Sequence, residues 1–164
     1  MQYLSKSVIE EKLNAIDKVR DAILFNVLWE TGARISEVLA IERSQIDFKD
    51  NSIKMIVLKR REKFEVVKPI KHSLMLSIKA LNNNLKPSQK LLFDIQRAQA
   101  YKLSMKYFGM SPHKIRHSTA IDMVNQQIPI ETIRRRLNHT SLSTTQKYLD
   151  YDDATMRKHL EMRK

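Results

Sequence analysis

The period of the hydrophobic positions changes twice along the chain, from helical spacing to alternation and back to helical spacing. Ser7 and Glu10 have the form of a capping box, which predicts a first helix. A second helix is predicted from residue 18 to about residue 30, and because it is apolar on most faces it should be central and buried. Gly32 can adopt the left-handed conformation that ends this helix, and a third helix is predicted from residue 35 to about residue 42.

The middle of the chain has the alternation that is typical of strands. Residues 64–70 form one extended run, and an earlier run has an apolar face made of Ile53, Met55 and Val57. Residues 45–48 can supply a third, short strand. We therefore expect a small antiparallel three-stranded sheet, with residues 59–63 as the loop at the tip of a hairpin.

The chain beyond residue 70 is predicted to be helical. Four helices are expected over residues 73–83 (with Ser73 as N-cap), 96–108, 113–126 and 129–137. Gly109 ends the second of them, and Ser111-Pro112 is an N-cap and N1 pair for the third. A further helix is predicted to begin at Ser143 and to hold Tyr148, and a last one to run from residue 152 or 153 to about residue 162. The predicted fold class is α+β, mainly α-helical, in one domain without repeat or linker.

The composition excludes several kinds of chemistry. The 164 residues include 30 Lys and Arg against 18 Asp and Glu, a net charge of +12. Without cysteine there is no disulfide framework, no Cys-based zinc finger and no thiol nucleophile. Two glycines are too few for a dinucleotide-binding fingerprint or a P-loop. The charge indicates a polyanionic partner, with a merely basic surface as the alternative interpretation.

Neither a membrane span nor a secretory signal is visible in the sequence. No apolar run approaches the roughly 20 residues that a span requires. The N-terminal residues also lack the apolar segment of a signal peptide. We expect a cytoplasmic protein with no membrane partner.

Residues 31–37 are the first of three segments that concentrate functional side chains. Arg34 follows a glycine turn at the end of an apolar helix, where its guanidinium would be partly desolvated and could hold a phosphate. Glu37 could support it. The alternative for this segment alone is a surface ion pair between the two residues, which are three positions apart.

Residues 112–117 are the second segment. His113 and Arg116 lie one turn apart on a helix and could be presented together at an anionic site. His113 and His117 also share a face, which raises a zinc site, but the only further ligand in view is His139 and the Glu of the metalloprotease pattern is missing. We therefore favour the anionic site, with His117 as a packing or helix-surface residue and no metal.

Residues 137–148 are the third segment, and they contribute His139 and Tyr148. Taken together, the segments offer two arginines, histidines, a basic hairpin and a tyrosine. This set suits phosphoryl transfer on a polyanion without metal, because it supplies cations for the transition state, an acid for the leaving group and a hydroxyl nucleophile.

The motifs TGARISE, PHKIRH and LNHTSLSTTQKY and the lysine-bearing hairpin, in this order, resemble the tyrosine recombinase (phage-integrase and Xer-like) family. The resemblance covers about residues 17–150 and implies the family's catalytic-domain fold. It implies a site-specific recombinase or integrase that cleaves and rejoins DNA through a 3′-phosphotyrosyl intermediate. Two alternatives remain: a catalytically inactive DNA-binding regulator of this fold, and a relaxing enzyme similar to type IB topoisomerases.

The resemblance assigns a role to each matching residue. Arg34 and Arg116 would hold the non-bridging oxygens of the scissile phosphate. His113 would be a proton acceptor or phosphate ligand, and His139, which matches the histidine of the family's LGH motif, a further phosphate ligand. Tyr148 would be the nucleophile, and the spacing of Tyr151 from the LGH histidine does not match.

The hairpin would supply the general acid and DNA contacts. Lys59 matches the family's general acid for the 5′ oxygen, and Lys63 is the alternative because the loop is predicted to be longer than usual. Glu37 matches an acid that supports the first arginine. The residues predicted to contact DNA are Arg60, Arg61, Lys63 and Lys114.

Two features depart from the family pattern. Asn138 stands where the family usually has glycine, and since Asn tolerates a left-handed turn we expect the geometry to be kept. We expect residues 1–164 to be a single catalytic domain without the family's usual N-terminal DNA-clamping domain, either a fragment or a natural minimal form. Residues 151–164 resemble the tail that family members exchange with a neighbouring protomer.

The resemblance also implies the partners. They are double-stranded DNA, further copies of the chain on that DNA (a tetramer is expected) and accessory DNA-bending proteins as candidates. It implies no cofactor. It also implies a prokaryotic, viral or plasmid-borne origin.

Overall fold

A computed structural model describes residues 3–59, 61–150 and 160–161, and within them the fold is α+β and mainly helical, as predicted. The helices are α1 (Lys6–Asn14), α2 (Val19–Thr31), α3 (Ile35–Leu39), α4 (His72–Asn84), α5 (Arg97–Phe108), α6 (Pro112–Asn125), α7 (Ile130–Arg136) and α8 (Leu142–Gln146). The strands are β1 (Ile46–Asp47), β2 (Ser52–Lys59) and β3 (Glu62–Pro69), and a short 3-10 turn covers Arg43–Gln45. None of the helices in these residues is long and apolar enough to cross a membrane.

Helix α2 is the centre of the main core, as its apolar faces predict. It packs against α1, α3, α4 and α6, and Leu24, Phe25 and Leu28 have no exposed surface. A smaller cluster joins α6 and α7 to the residues after α8; it comprises Ala120, Ile121, Val124, Ile133, Leu137 and Tyr148. The end of α2 is bonded to α6 beside the smaller cluster. Thr119 of α6 donates a hydrogen bond to the Trp29 carbonyl at 3.1 Å.

The sheet is antiparallel in the order β1-β2-β3, which confirms the three-stranded prediction. The predicted apolar face of β2 is buried, and Lys68 of β3 pairs with Ile53 in its register. The loop predicted over residues 59–63 is wrong, because strand pairing continues to the pair Lys59 and Glu62. Only residues 60 and 61 remain between the strands, and Arg61 has a positive φ of 68°.

The ends of several helices follow the predicted capping residues, and others do not. Gly32 and Gly109 are left-handed, with φ of 61° and 69°, and the Ser111 hydroxyl accepts a hydrogen bond from the Lys114 backbone N–H. Ser7 is not an N-cap: α1 begins one residue earlier, and the Ser7 hydroxyl bonds to the hydroxyl of Ser5 instead of a backbone N–H.

Two further predicted boundaries are wrong. Ser73 lies inside the first turn of α4, whose N-cap is Lys71. Helix α3 ends at Leu39, before the predicted residue 42, because the backbone at Glu42 forms a β-bridge with Leu91. The last predicted helix lies outside the described residues except for 160–161, which are helical.

Candidate active site

Arg34 is held at the start of α3 by a buried carboxylate. The Glu37 carboxylate accepts one hydrogen bond from the Arg34 backbone N–H at 2.8 Å and one from its Nη1 at 3.0 Å. The Glu37 side chain is 7% exposed and that of Arg34 49% exposed. The pair is therefore not a simple surface ion pair, because a buried acid orients a guanidinium whose other side is open to solvent.

Gly32 allows the end of α2 to approach α7 closely. A Cβ at this position would lie 2.7 Å from Leu137 Cδ2, and the residue also has a positive φ. Both conditions favour glycine. The close approach brings the carbonyl of Gly32 within reach of Arg116 on α6.

Arg116 joins the three predicted segments. It is 3% exposed, and its guanidinium donates to the Gly32 carbonyl and, at 2.6 Å, to the Leu137 carbonyl. Burial and the neighbouring Arg34 charge lower the pKa of Arg116 to about 10, although Glu37 and Tyr148 act in the opposite direction. Arg116 is therefore still a cation at neutral pH. The guanidinium also has further N–H donors with which it can bind an anion.

Lys68 fixes the turn that precedes His139. This lysine is 3% exposed, and its Nζ donates to Asn138 Oδ1 at 3.1 Å and to the carbonyl of Arg136. Asn138 has a φ of 55°, so the predicted left-handed turn is present. Nothing in the sequence pattern singled out Lys68, because its contacts are with residues about 70 positions away.

His139 is buried and held on both sides. Its Nδ1 lies 2.9 Å from the Thr145 hydroxyl, and its carbonyl accepts a hydrogen bond from Arg134 Nη1 at 3.0 Å. Burial, followed by the charges of Arg116 and Arg34, lowers the pKa of His139 to about 4. The imidazole is therefore neutral at pH 7, with Nε2 remaining for a ligand.

Tyr148 lies in a turn just beyond α8. The prediction that the helix beginning at Ser143 holds this residue is therefore wrong. Ser141 caps α8, which ends at Gln146, and the Tyr148 backbone N–H donates to the Thr145 carbonyl at 3.0 Å. The side chain is 5% exposed, and its ring stacks parallel to that of His139 with centroids 6.4 Å apart. The third segment therefore brings its histidine and tyrosine close together.

His117 contacts the Tyr148 hydroxyl, which the sequence interpretation missed. Its Nδ1 lies 2.5 Å from Tyr148 Oη, and its Nε2 lies 2.8 Å from His113 Nε2. His117 is half-buried and packs against the Tyr148 ring, which fits its interpretation as a packing residue, and the hydrogen bond to the hydroxyl is an additional contact. The available signal was its position four residues after His113, which was considered only as a metal pair. Among the described residues, no three His, Cys, Asp or Glu side chains are grouped to hold a metal ion.

The two histidines of α6 are uncharged bases at neutral pH. Burial, and then the charges of Arg116 and Arg34, lower the pKa of His113. Burial, and then His113 and Arg116, lower the pKa of His117 to about 4. The site thus combines arginine cations with neutral imidazoles and one buried phenol. Such a set can bind an anion, accept a proton and supply an oxygen nucleophile.

The remaining predicted residues are less closely placed. Lys63 is exposed and pairs with Leu58, out of phase with the buried face of β2. Arg61 is exposed at the hairpin tip, and Lys114 is exposed in the first turn of α6. Arg60 and the side chain of Lys59 lie outside what the structure describes, as does the predicted exchanged tail except for residues 160–161.

The chain is similar to known recombinases over most of its length. A model described as "Phage integrase family" matches residues 2–155. "Tyrosine recombinase XerC" of Staphylococcus aureus (strain JH9) is 28% identical over 183 residues, which cover 96% of this chain and 60% of the relative. The chain therefore spans less than two thirds of that relative's length.

Three solved structures share the fold. XerA recombinase superposes with a TM-score of 0.79 at 20% identity, covering 100% of this chain and 66% of XerA. XerH bound to palindromic difH substrate, in a post-cleavage complex, gives 0.77 at 18% identity, with 97% and 52% covered. The catalytic domain of bacteriophage HP1 integrase gives 0.70 at 19% identity, with 99% and 95% covered. The expected fold is thereby confirmed.

Proposed function

The chain belongs to the phage integrase family, and on this premise we propose that it is a site-specific recombinase that cuts and rejoins DNA through Tyr148. One observation carries the proposal. The hydroxyl of a buried tyrosine lies 2.5 Å from a neutral histidine, beside His139 and within the field of Arg116. A phenol that only fills a core does not require three such neighbours.

In the proposed step, Tyr148 Oη attacks the scissile phosphorus. An O–P bond forms, the bond from phosphorus to the 5′ oxygen breaks, and the 5′ oxygen leaves as a hydroxyl after it receives a proton. Arg34 and Arg116 would bind the non-bridging oxygens, and their charges would stabilise the additional negative charge of the transition state. Rejoining is the reverse attack by a 5′ hydroxyl, so no nucleotide or metal is required.

The hairpin supports Lys59 as the general acid. Lys63, the alternative, points away from the buried face of β2 and is exposed. Lys59 ends β2 immediately before the two-residue tip. We therefore retain Lys59 in this role, and Arg61 with Lys63 and Lys114 as candidate contacts to the DNA backbone.

The partners follow from the same proposal. Recombination requires two DNA duplexes and several copies of the chain, and we propose a tetramer on DNA. The net charge of +12 supports binding to DNA phosphates. Between residues 54 and 71 there are seven basic and two acidic side chains, so this region carries 7 − 2 = +5 of that charge.

The test is covalent capture. A library of nicked duplexes with randomised sequence beside the nick serves as the substrate, because the short 5′-hydroxyl fragment diffuses away after cleavage and traps the adduct. The wild-type protein should give a detergent-stable protein–DNA adduct, and Tyr148→Phe should give none. Tyr151→Phe is the matched control and should leave adduct formation unchanged.

Each competing function has its own outcome. Binding of duplex DNA with no adduct from the folded wild-type protein would identify a DNA-binding regulator. Relaxation of supercoiled plasmid without recombinant product would identify a relaxing enzyme. Arg34→Ala should lower the cleavage rate by orders of magnitude and leave DNA binding largely intact, because this side chain is half exposed and the buried Glu37 keeps its hydrogen bond from the backbone N–H of residue 34.

A further inference from the structure

We propose that His117 is a catalytic residue that accepts the proton of Tyr148 during attack, and that His113 is the outer member of the same proton path. This inference rests on the proposed function. It concerns a residue to which neither the motifs nor the resemblance assigned chemistry. The histidine lies against the reacting oxygen itself, so its proposed role is direct.

The geometry forms a continuous path of hydrogen bonds. Tyr148 Oη and His117 Nδ1 are 2.5 Å apart, and His117 Nε2 and His113 Nε2 are 2.8 Å apart. If the phenol donates to Nδ1, the neutral His117 ring carries its proton on Nε2 and donates it to His113. His113 is exposed, whereas Tyr148 is 5% exposed, so the path runs from the buried hydroxyl to the surface.

The surroundings keep His117 uncharged, so its Nδ1 can accept a hydrogen bond from the phenol. Among the described residues, the groups that face His117 are His113 and Arg116 on its own helix and Tyr148 beyond α8, with His139 beside Tyr148. None of these side chains is a carboxylate, and burial favours the neutral imidazole of His117. His117 is therefore an acceptor in the resting protein.

His139 is less well placed for this role. Its ring lies parallel to that of Tyr148, and its Nδ1 is bonded to Thr145. The two ring planes are at 13° to each other with centroids 6.4 Å apart, whereas His117 Nδ1 lies 2.5 Å from the Tyr148 hydroxyl. His139 is left with Nε2 as a phosphate ligand, and His117 with the proton.

Every proton that moves in the proposed step has a donor and an acceptor. As Tyr148 Oη bonds to phosphorus, its proton moves to His117 Nδ1, and the Nε2 proton of His117 moves to His113 Nε2. The leaving 5′ oxygen receives a different proton, from the general acid. When the 5′ hydroxyl attacks in the rejoining step, both transfers reverse and Tyr148 leaves as a neutral phenol.

The experiment compares wild-type protein with His117→Asn, whose side-chain oxygen can replace Nδ1 as hydrogen-bond acceptor but cannot take the proton. Cleavage rates are measured on nicked duplexes with the sequence recovered from the covalent-capture experiment. Two such substrates are compared, one with the normal 5′ oxygen and one with a 5′ sulfur at the scissile bond. Sulfur leaves without a proton, so it bypasses the general acid. We expect His117→Asn to lose roughly 100- to 10,000-fold in rate on both substrates.

The pH profile supplies a second readout. On the sulfur substrate, the rate of His117→Asn should rise about tenfold per pH unit above pH 7, because only the ionised phenol attacks without a base. The wild-type rate should be nearly flat in the same range. In nuclear magnetic resonance spectra of the imidazole nitrogens, Tyr148→Phe should remove the acceptor signature of His117 Nδ1.

The controls separate the possible failures. His72→Asn makes the same change at an exposed position of α4 and should cleave at the wild-type rate. Equal rates for wild type and His117→Asn would overturn the inference alone, as would a loss that the sulfur substrate fully restores, since that result would make His117 an acid. Absence of any adduct from the wild type would overturn the proposed function and this inference together.

Discussion

At the scale of single residues, Asn138 occupies a turn with a φ of 55° and is 6% exposed. Its Oδ1 accepts from Lys68, while its Nδ2 is buried with no hydrogen-bond partner in the described residues. A left-handed backbone and an unpaired buried amide both cost free energy. The Lys68 contact offsets that cost and ties the turn before His139 to β3.

Lys68 and Asn138 should therefore be energetically coupled. Lys68→Met should lower the free energy of unfolding by roughly 1–3 kcal/mol, because it leaves buried carbonyl and amide oxygens without their donor. Asn138→Gly should be nearly neutral in the wild type and stabilising in the Lys68→Met background, with a coupling of about 0.5–3 kcal/mol. Urea unfolding of the four proteins measures this.

The control for the double-mutant cycle of Lys68 and Asn138 is Lys79→Met, on the exposed side of α4. It removes the same side chain without a buried partner and should change the free energy of unfolding by about 0.5 kcal/mol or less. Strictly additive effects of Lys68→Met and Asn138→Gly would show that the two residues do not act together.

At the scale of the elements, cationic side chains hold the C-terminal ends of two helices. Arg136 donates to the carbonyls of Glu30 and Pro69, at 2.7 and 3.1 Å, and Arg116 donates to those of Gly32 and Leu137. Carbonyls at a helix C-terminus lack partners within the helix and carry partial negative charge. These contacts therefore supply hydrogen-bond donors to carbonyls at the ends of α2 and α7 and hold the two helix ends together.

The two glycine caps differ in what surrounds them, which allows a matched prediction. Gly109→Ala introduces only the strain of a positive φ, since no atom lies within 4 Å of the added Cβ, and should cost about 1–2 kcal/mol of unfolding free energy. Gly32→Ala adds a contact of 2.7 Å with fully buried Leu137 and should cost about 2–5 kcal/mol. Thermal or urea unfolding compares them, and equal losses would contradict the close approach of Gly32 to Leu137.

Local patterns predicted what local physics decides. Gly32, Gly109 and Ser111 cap their helices as expected, because each conformation depends on only a few neighbouring residues. The prediction of Ser7 as N-cap was wrong because Ser5 can also precede the helix, and the sequence alone does not distinguish the two serines. The hairpin loop was predicted too long because charged residues favour a loop, whereas cross-strand pairing of Lys59 with Glu62 extends the strands.

The candidate site was predictable only in part. Arg34, Arg116, His139 and Tyr148 were recognisable because they belong to motifs, but their catalytic roles stay predictions. Contacts across the fold were not predictable: Lys68 reaches residues about 70 positions away, and His117 reaches Tyr148 across 31 positions. The period of hydrophobic positions predicts helices and strands, and it does not show which residues far apart in the chain come into contact.

At the scale of the whole molecule, the charge of +12 is unevenly distributed, with a net +5 between residues 54 and 71. The β2–β3 hairpin in this region has a two-residue tip, where Arg61 is exposed with a positive φ. A basic tip on a hairpin whose strands are paired up to Lys59 and Glu62 can enter a groove or follow a phosphate backbone.

Arg61→Gly should separate charge from conformation at this tip. Glycine accepts the positive φ, so stability should be kept or slightly raised, while DNA affinity should fall and the slope of log affinity against log salt should decrease by about one. Salt titration of binding to duplex DNA measures the slope. Lys102→Gln on α5 removes an equal charge, and an equal change in slope for both variants would indicate bulk attraction instead of a local contact.

The anchoring of Arg116 has a consequence for how this protein can diverge. Its partners are the main-chain carbonyls of Gly32 and Leu137, and every amino acid supplies the same carbonyl. Substitutions around the site can therefore accumulate without disturbing the guanidinium, as long as the path of the backbone is kept. Under the proposed function, drift in the surrounding side chains would alter which DNA is chosen while the geometry of the cutting step stays fixed.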